Sequence, residues 1–178
     1  MDLTHSQPGA RDAAFEFVPT ADKSREFRNA LGLFGTGVTI VTTADEHQSP
    51  IGITVNSFAS VSLNPALVLW SPAKASNRFS QFESAARYAI HVLGQSQARL
   101  ASDFARNARS FDTCRWRWSE DGIPLIQDTV ARFECERISS HDGGDHAIVV
   151  GRVIRAANFG GDPLMFVGGE FGKFVGVA

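Results

Sequence analysis

The sequence predicts a mainly β fold with flanking helices, an antiparallel barrel of six to seven strands of Greek-key type. Three observations carry this. Short β-branched or alternating segments outnumber helical ones. The two long helical patterns lie far apart in the chain. There is no βαβ alternation and no GxGxxG, which argues against a doubly wound dinucleotide-binding sheet. With 178 residues, 43% of them hydrophobic and 20% charged, the chain can build a core without disulfides or metals.

The elements follow in order. Residues 1–20, with Pro8, Gly9 and scattered polar groups, are expected to form a flexible tail, and 21–178 a single domain. Between Asp22 and Phe34, the residues Phe27, Ala30, Leu31 and Phe34 recur at helical spacing. Asp22 is the expected cap and Gly35 the expected stop. The β-branched run from Val38 to Thr43 predicts a strand, Asp45 to Pro50 a turn, and Ile51 to Asn56 a second strand. Ala66 to Trp70 is nearly all apolar and is expected inside the barrel or between barrel and helix. Ser76 to Glu83 predicts a short helix. Tyr88 to Leu93 alternates as a strand does. Gln95 to Ala108 predicts the second long helix, with Leu100, Phe104 and Ala108 on one face. After the aromatic segment FDTCRWRW, alternating strands are expected over Thr129 to Ile138 and Ala147 to Ile154. SSHDGGD between them reads as a glycine-rich hairpin turn. Leu164 to Val167 and Glu170 to Val175 close the chain. The apolar face of the first helix and the aromatic segment exceed what one small barrel needs, which predicts a symmetric dimer.

A net charge of −2 and a pI of about 6.2 leave no basic stripe for nucleic acid. No apolar run approaches the ~20 residues of a membrane helix, and the N-terminus lacks a signal-peptide pattern. A cytoplasmic protein is expected. Cys114 and Cys135 stand at no metal-ligand spacing and are expected as reduced thiols. No metal site is expected.

Three polar clusters sit where a strand pattern does not require them. Thr54 to Ser62 (TVNSFASVS) gathers hydroxyl and amide groups at the end of an apolar strand. These suit a polar ring edge of alternating donors and acceptors, and equally a polar β-turn. Ser71 to Asn77 (SPAKASN) joins a strand to a helix. Ser76 and the first helix amides can hold a phosphate beside Lys74, or simply cap the helix. Gly143-Gly144-Asp145-His146 allows a tight turn and places a histidine that can orient a bound ring, or stand there incidentally.

Taken with FRNALGLFGTGVTIVTT, GITVNSFASVSLNPALVLWSP, QARLASDFA, FDTCRWRW, GIPLI and GGDHAIVVGRV, these clusters run in one order from Phe27 to Phe174. The chain resembles the flavin reductase family of FMN-binding split barrels, the reductase components of two-component flavin monooxygenases. The resemblance implies an NADH- or NADPH-dependent reductase of FMN or FAD, with a partner flavin-dependent monooxygenase and a homodimeric assembly. It implies that Thr54, Val55, Asn56 and Ser57 hold the flavin ring edge. Ala59, Ser60 and Val61 contact its pyrimidine side and ribityl chain, and Lys74, Ala75, Ser76 and Asn77 its phosphate. Asp145 and His146 lie beside the ring face where nicotinamide binds, His146 as the catalytic candidate, and Phe171 stands where many relatives carry tyrosine. Two rival readings are a non-catalytic flavin-binding module and a split-barrel oxidase with tightly bound FMN.

Overall fold

The computed structural model describes residues 16–176, so most of the expected tail, 1–20, lies outside them. Its strands are β1 (Thr36–Gly37), β2 (Thr39–Ala44), β3 (Pro50–Val55), β4 (Ala59–Leu63), β5 (Ala66–Trp70), β6 (Arg87–Val92), β7 (Trp116–Trp118), β8 (Pro124–Ile126), β9 (Ala131–Gly143), β10 (His146–Asn158), β11 (Leu164–Val167) and β12 (Glu170–Lys173). The helices are α1 (Ser24–Gly32), α2 (Phe79–Ser84) and α3 (Ala98–Arg106), with 3₁₀ turns at Ala21–Lys23, Gln95–Gln97 and Ser110–Thr113. Seven strands form one antiparallel sheet in the order β3-β2-β6-β9-β10-β5-β4, as the sequence predicts. Two smaller sheets, β1-β11-β12 and β7-β8, complete the fold.

Several boundaries differ from expectation. Asp22 makes no capping bond, because a 3₁₀ turn precedes α1. The helix closes at Gly32 rather than Gly35, with the Leu33 N–H donating back to Ala30 and the Phe34 N–H to Leu31. Only Val68 and Trp70 of β5 are fully buried, since the strand lies next to the sheet edge. The hairpin β9–β10 is longer than its apolar pattern, thirteen residues on each side. Its loop shrinks to Gly144-Asp145. Gly144 has φ +81° and Asp145 does not share it, the pattern of a two-residue type II′ turn, which needs glycine at its first central position.

Among the described residues the core divides into two large clusters and a small third one of Ala89, Ile123 and Leu125. Val38, Ile40, Leu93, Leu100, Phe104 and Ile126 pack where α3 meets the sheet. Val41, Ile51, Trp70, Phe82, Tyr88 and Val149 form the second, with the Trp70 ring meeting Phe82 edge-on at 5.8 Å. Gly52 lets α3 lie directly on β3, since a Cβ there would come within 2.5 Å of the Phe104 ring. His91 is fully buried and joins three strands. Its Nδ1 lies 3.0 Å from the Ile40 carbonyl, and its Nε2 accepts the Ile126 N–H at 3.1 Å. The first nitrogen therefore carries the proton and the ring is neutral, and burial pushes its pKa down to about 3.

Both cysteines are unpaired, and burial raises their thiol pKa values, to about 11 for Cys114 and about 12 for Cys135. No helix among the described residues is long and apolar enough to cross a membrane. The helix α1 buries no residue.

Candidate functional site

The end of β3 and the face of α3 build one wall of a cleft of about 300 Å³. Thr54, Val55 and Asn56 line it opposite Ala101, Ser102, Ala105 and Arg106 of α3, and Phe166 and Phe171 close one side. Small residues on α3 open this space, because helix and strand approach closely and no bulky side chain fills the gap. The Thr54 hydroxyl donates to the Ala101 carbonyl at 2.7 Å. It therefore ties strand to helix and is spent on the fold. Asn56 is exposed, and its carboxamide makes no hydrogen bond among the described residues.

Beyond Asn56 the chain turns into β4, which the sequence reading left as a polar segment. Its residues alternate, Ser60 and Ser62 against Ala59, Val61 and Leu63, but all except Ser62 are exposed, so the apolar side of the alternation is not buried in this chain. The register shifts between Ser60 and Ser62, making Val61 the extra residue of a β-bulge. Bulges re-aim side chains and gather near sites. β4 is the last strand of the sheet, and an edge strand presents unpaired N–H and C=O groups.

Ser57 joins this segment to the next cluster. Its hydroxyl oxygen accepts the Ser71 N–H at 2.9 Å and donates to the Ser71 carbonyl at 3.2 Å. From Ser71 the chain runs along the start of β10. The Ala147 N–H donates to Pro72 at 3.1 Å, Ala73 bridges His146, and the Lys74 N–H donates to Asp145 at 2.9 Å. The Lys74 ammonium is paired with the Asp142 carboxylate, a bond that holds the Asp142 pKa below its ordinary value. The His146 Nδ1 lies 2.7 Å from the Asp145 carboxylate, and that bond lowers the Asp145 pKa in turn.

Helix α2 begins at Phe79, three residues later than expected. Residues 73–79 make two turns instead, with Ser76 N–H donating to Ala73 and Phe79 N–H to Ser76, both at 3.0 Å. The Ser76 Oγ accepts the Arg78 N–H at 3.2 Å, so its own proton remains to donate. An anion here meets turn amides and a hydroxyl, not the end of a long helix. The structure thus brings Thr54, Val55, Asn56 and Phe171 into one cleft. It sets Lys74 against Asp145 and Ala73 against His146, with Ala75, Ser76 and Asn77 following in the same turn, and links this segment to Asn56 through Ser57 and Ser71. His146 does not line the cleft. Arg78, Arg106 and Phe166 escaped the sequence reading. For α3, the small residues Ala98, Ala101, Ser102 and Ala105 at helical spacing were the available signal.

The donor set tests what the site can hold. An exposed edge strand, a carboxamide and a hydroxyl-bearing turn match a ring with a polar edge joined by a chain to a phosphate, so these residues fit a flavin. The pattern described as "Flavin reductase like domain" matches residues 31–174. The chain belongs to the flavin reductase family. It is 58% identical over 158 residues to the FMN reductase (NADH) SmoA of Agrobacterium fabrum, spanning 89% of this chain and 90% of that one. It is 36% identical over 151 residues to the reductase subunit HsaB of a flavin-dependent monooxygenase from Mycobacterium tuberculosis, 83% of this chain and 80% of that one. Among solved structures, the NADH:FAD oxidoreductase SgcE6 of Streptomyces globisporus, in complex with NAD and FAD fragments, superposes with a TM-score of 0.82. It shares 36% identity and is covered over 90% of this chain and 98% of that one. As a flavin reductase fold, the chain is an antiparallel split barrel, as the sequence predicts.

Proposed function

We propose that this protein is an NADH-dependent flavin reductase that reduces FMN or FAD and supplies the reduced flavin to a partner flavin-dependent monooxygenase. The observation that carries the reading is the continuity of the site: the exposed Asn56 leads into the edge strand β4 and is fastened through Ser57 to a segment whose Ser76 hydroxyl proton is uncommitted. Flavin and nicotinamide, when bound, supply the electron-transfer chemistry between themselves. The protein contributes position and polarity. Asn56 and the outer backbone of β4, through Ala59, Ser60 and Val61, hold the polar ring edge and support the negative charge that reduction places there. Ser76 and Asn77 seat the phosphate, with Lys74 beside them. His146, its ring fixed by Asp145, orients the nicotinamide as a hydrogen-bonding wall.

A second copy of the chain completes the assembly on this reading. Leu31, on a helix that buries no residue, is 58% exposed, and Phe34, just past the helix end, is 78% exposed; such a surface calls for a partner. The deciding experiment follows NADH and NADPH consumption by the purified protein with FMN, FAD and riboflavin added in turn. Turnover that rises with added flavin supports the reductase. Flavin that stays bound through dialysis without turnover marks a binding module instead.

A further inference from the structure

We propose that Arg78 is the positioning residue of the phosphate seat, holding the 73–77 turn in place and neutralising the negative helix end beside it. The inference rests on the reading of Ser76 and Asn77 as that seat. Arg78 follows them directly, and its guanidinium turns away toward α3. Nη1 donates to the Phe104 carbonyl at 2.7 Å and to the Gly52 carbonyl at 3.3 Å, and Nη2 donates to the Ala105 carbonyl at 2.8 Å. Phe104 and Ala105 belong to the last turn of α3, where carbonyls lack intrahelical partners and carry the negative end of the helix dipole.

The geometry has two consequences. The first is mechanical. The turn makes few bonds of its own, and Arg78 fastens it to both β3 and α3. Through its N–H, Arg78 also holds the Ser76 oxygen, leaving that hydroxyl to donate outward. The second is electrostatic. The end of α3 lies within one side chain of the proposed seat, and an uncovered carbonyl cluster would repel a phosphate there. A cation across a helix C-terminus offsets that repulsion. Lysine presents a single ammonium and cannot span three carbonyls as the planar guanidinium does.

The experiment compares FMN with riboflavin, which lacks the phosphate, in steady-state assays of Arg78→Ala, Arg78→Lys and Ser76→Ala, with melting temperatures measured without flavin. Arg78→Ala is expected to raise KM for FMN about tenfold, the scale of losing hydrogen bonds to a charged group. Its kcat at saturating FMN and its KM for riboflavin should stay within about twofold of the parent, and Arg78→Lys should fall between the two. A lower melting temperature with equal losses for both flavins would make Arg78 a structural clamp only, and an Arg78→Lys variant equal to the parent would refute the three-carbonyl argument. If Ser76→Ala separates FMN from riboflavin while Arg78→Ala does not, the inference fails and the seat stands. If neither variant separates them, the seat itself is misplaced.

Discussion

Acid should destabilise this fold through one histidine before its carboxylates respond. His91 is fully buried, donates from Nδ1 to the Ile40 carbonyl and accepts the Ile126 N–H on Nε2. Protonating Nε2 would break the second bond and bury a charge, and burial accordingly pushes the pKa down to about 3 from an ordinary 6.5. A group whose folded pKa is depressed in this way is neutral in the fold and takes its proton in the unfolded chain. Stability is therefore complete above pH 6.5 and is lost as pH falls from there toward 3. The slope approaches about 1.4 kcal/mol per pH unit, giving a loss of about 2 kcal/mol between pH 6.5 and pH 5. That is a large part of the 5–15 kcal/mol typical of a folded domain. Asp45, Glu136, Asp142 and Asp145 also have depressed values. Their contribution is present above the unfolded carboxylate value near 4 and is lost only below it, so the window from pH 5 to 6.5 isolates the histidine. The assay is urea unfolding followed by tryptophan fluorescence at fixed protein concentration, for the parent and for His91→Gln, whose amide can donate and accept without titrating. The parent should weaken through this window while His91→Gln stays flat. Parallel profiles for the two proteins would refute the reasoning.

Three other outcomes follow from the site and the surface. His146→Ala should lower turnover per NADH by about tenfold, a change of about 1.4 kcal/mol in the barrier, with flavin affinity by fluorescence quenching unchanged; a loss of flavin instead would move His146 into the flavin site. Asp142→Asn removes the carboxylate that now holds the Lys74 ammonium and should lower KM for FMN about threefold, the scale of an exposed ion pair, leaving riboflavin unaffected. Leu31→Glu places a charge on the exposed face of α1 and should yield a monomer by light scattering, against the dimer expected of the parent; a parent that is already monomeric at micromolar concentration would count against the pairing.

The sheet was legible because its strands are β-branched or alternate: β2 is a β-branched run buried on both faces, and β10 alternates on a half-buried pleat. The strand β4 does carry an alternation, Ala59, Val61 and Leu63 against Ser60 and Ser62, but its hydroxyls read first as a polar cluster, and at the sheet edge its apolar side stays unburied, with Val61 50% and Leu63 96% exposed. Helix α2 was placed three residues early because Ser76 reads as a cap, whereas its oxygen closes a local turn onto the Arg78 N–H. Candidate site residues stood out where chemistry is written in residue type, as at Asn56, Ser76 and His146, on which the proposed function rests. They were hidden where the partner is backbone from elsewhere in the chain. Arg78 meets carbonyls 26 and 27 residues away, and nothing in the types of residues 52, 104 and 105 announces that. The Thr54 and Ser57 hydroxyls show the converse: their type suggests ligand contacts, and the fold uses both to hold its own parts together.

The charges around the turn bear on how firmly a flavin is held. Lys74 already shares its ammonium with Asp142, and Arg78 directs its guanidinium to three carbonyls. A phosphate at Ser76 and Asn77 would meet a hydroxyl, turn amides and a lysine it must take from a carboxylate, all at an exposed surface where water and salt compete. Arg106 lines the cleft and forms no ion pair among the described residues, yet it too is solvated. Such a seat supports affinity of micromolar order, about −8 kcal/mol, rather than the nanomolar binding of a resident cofactor. A protein that passes reduced flavin to a second enzyme needs that weakness, because the contacts that capture the flavin must also release it. Flavin should therefore leave the purified protein on dialysis, and the Kd for FMN from fluorescence quenching should rise with added salt while that for riboflavin holds steady. Retention of one flavin per chain through dialysis at high salt would contradict this account and favour the tight-binding oxidase over the reductase.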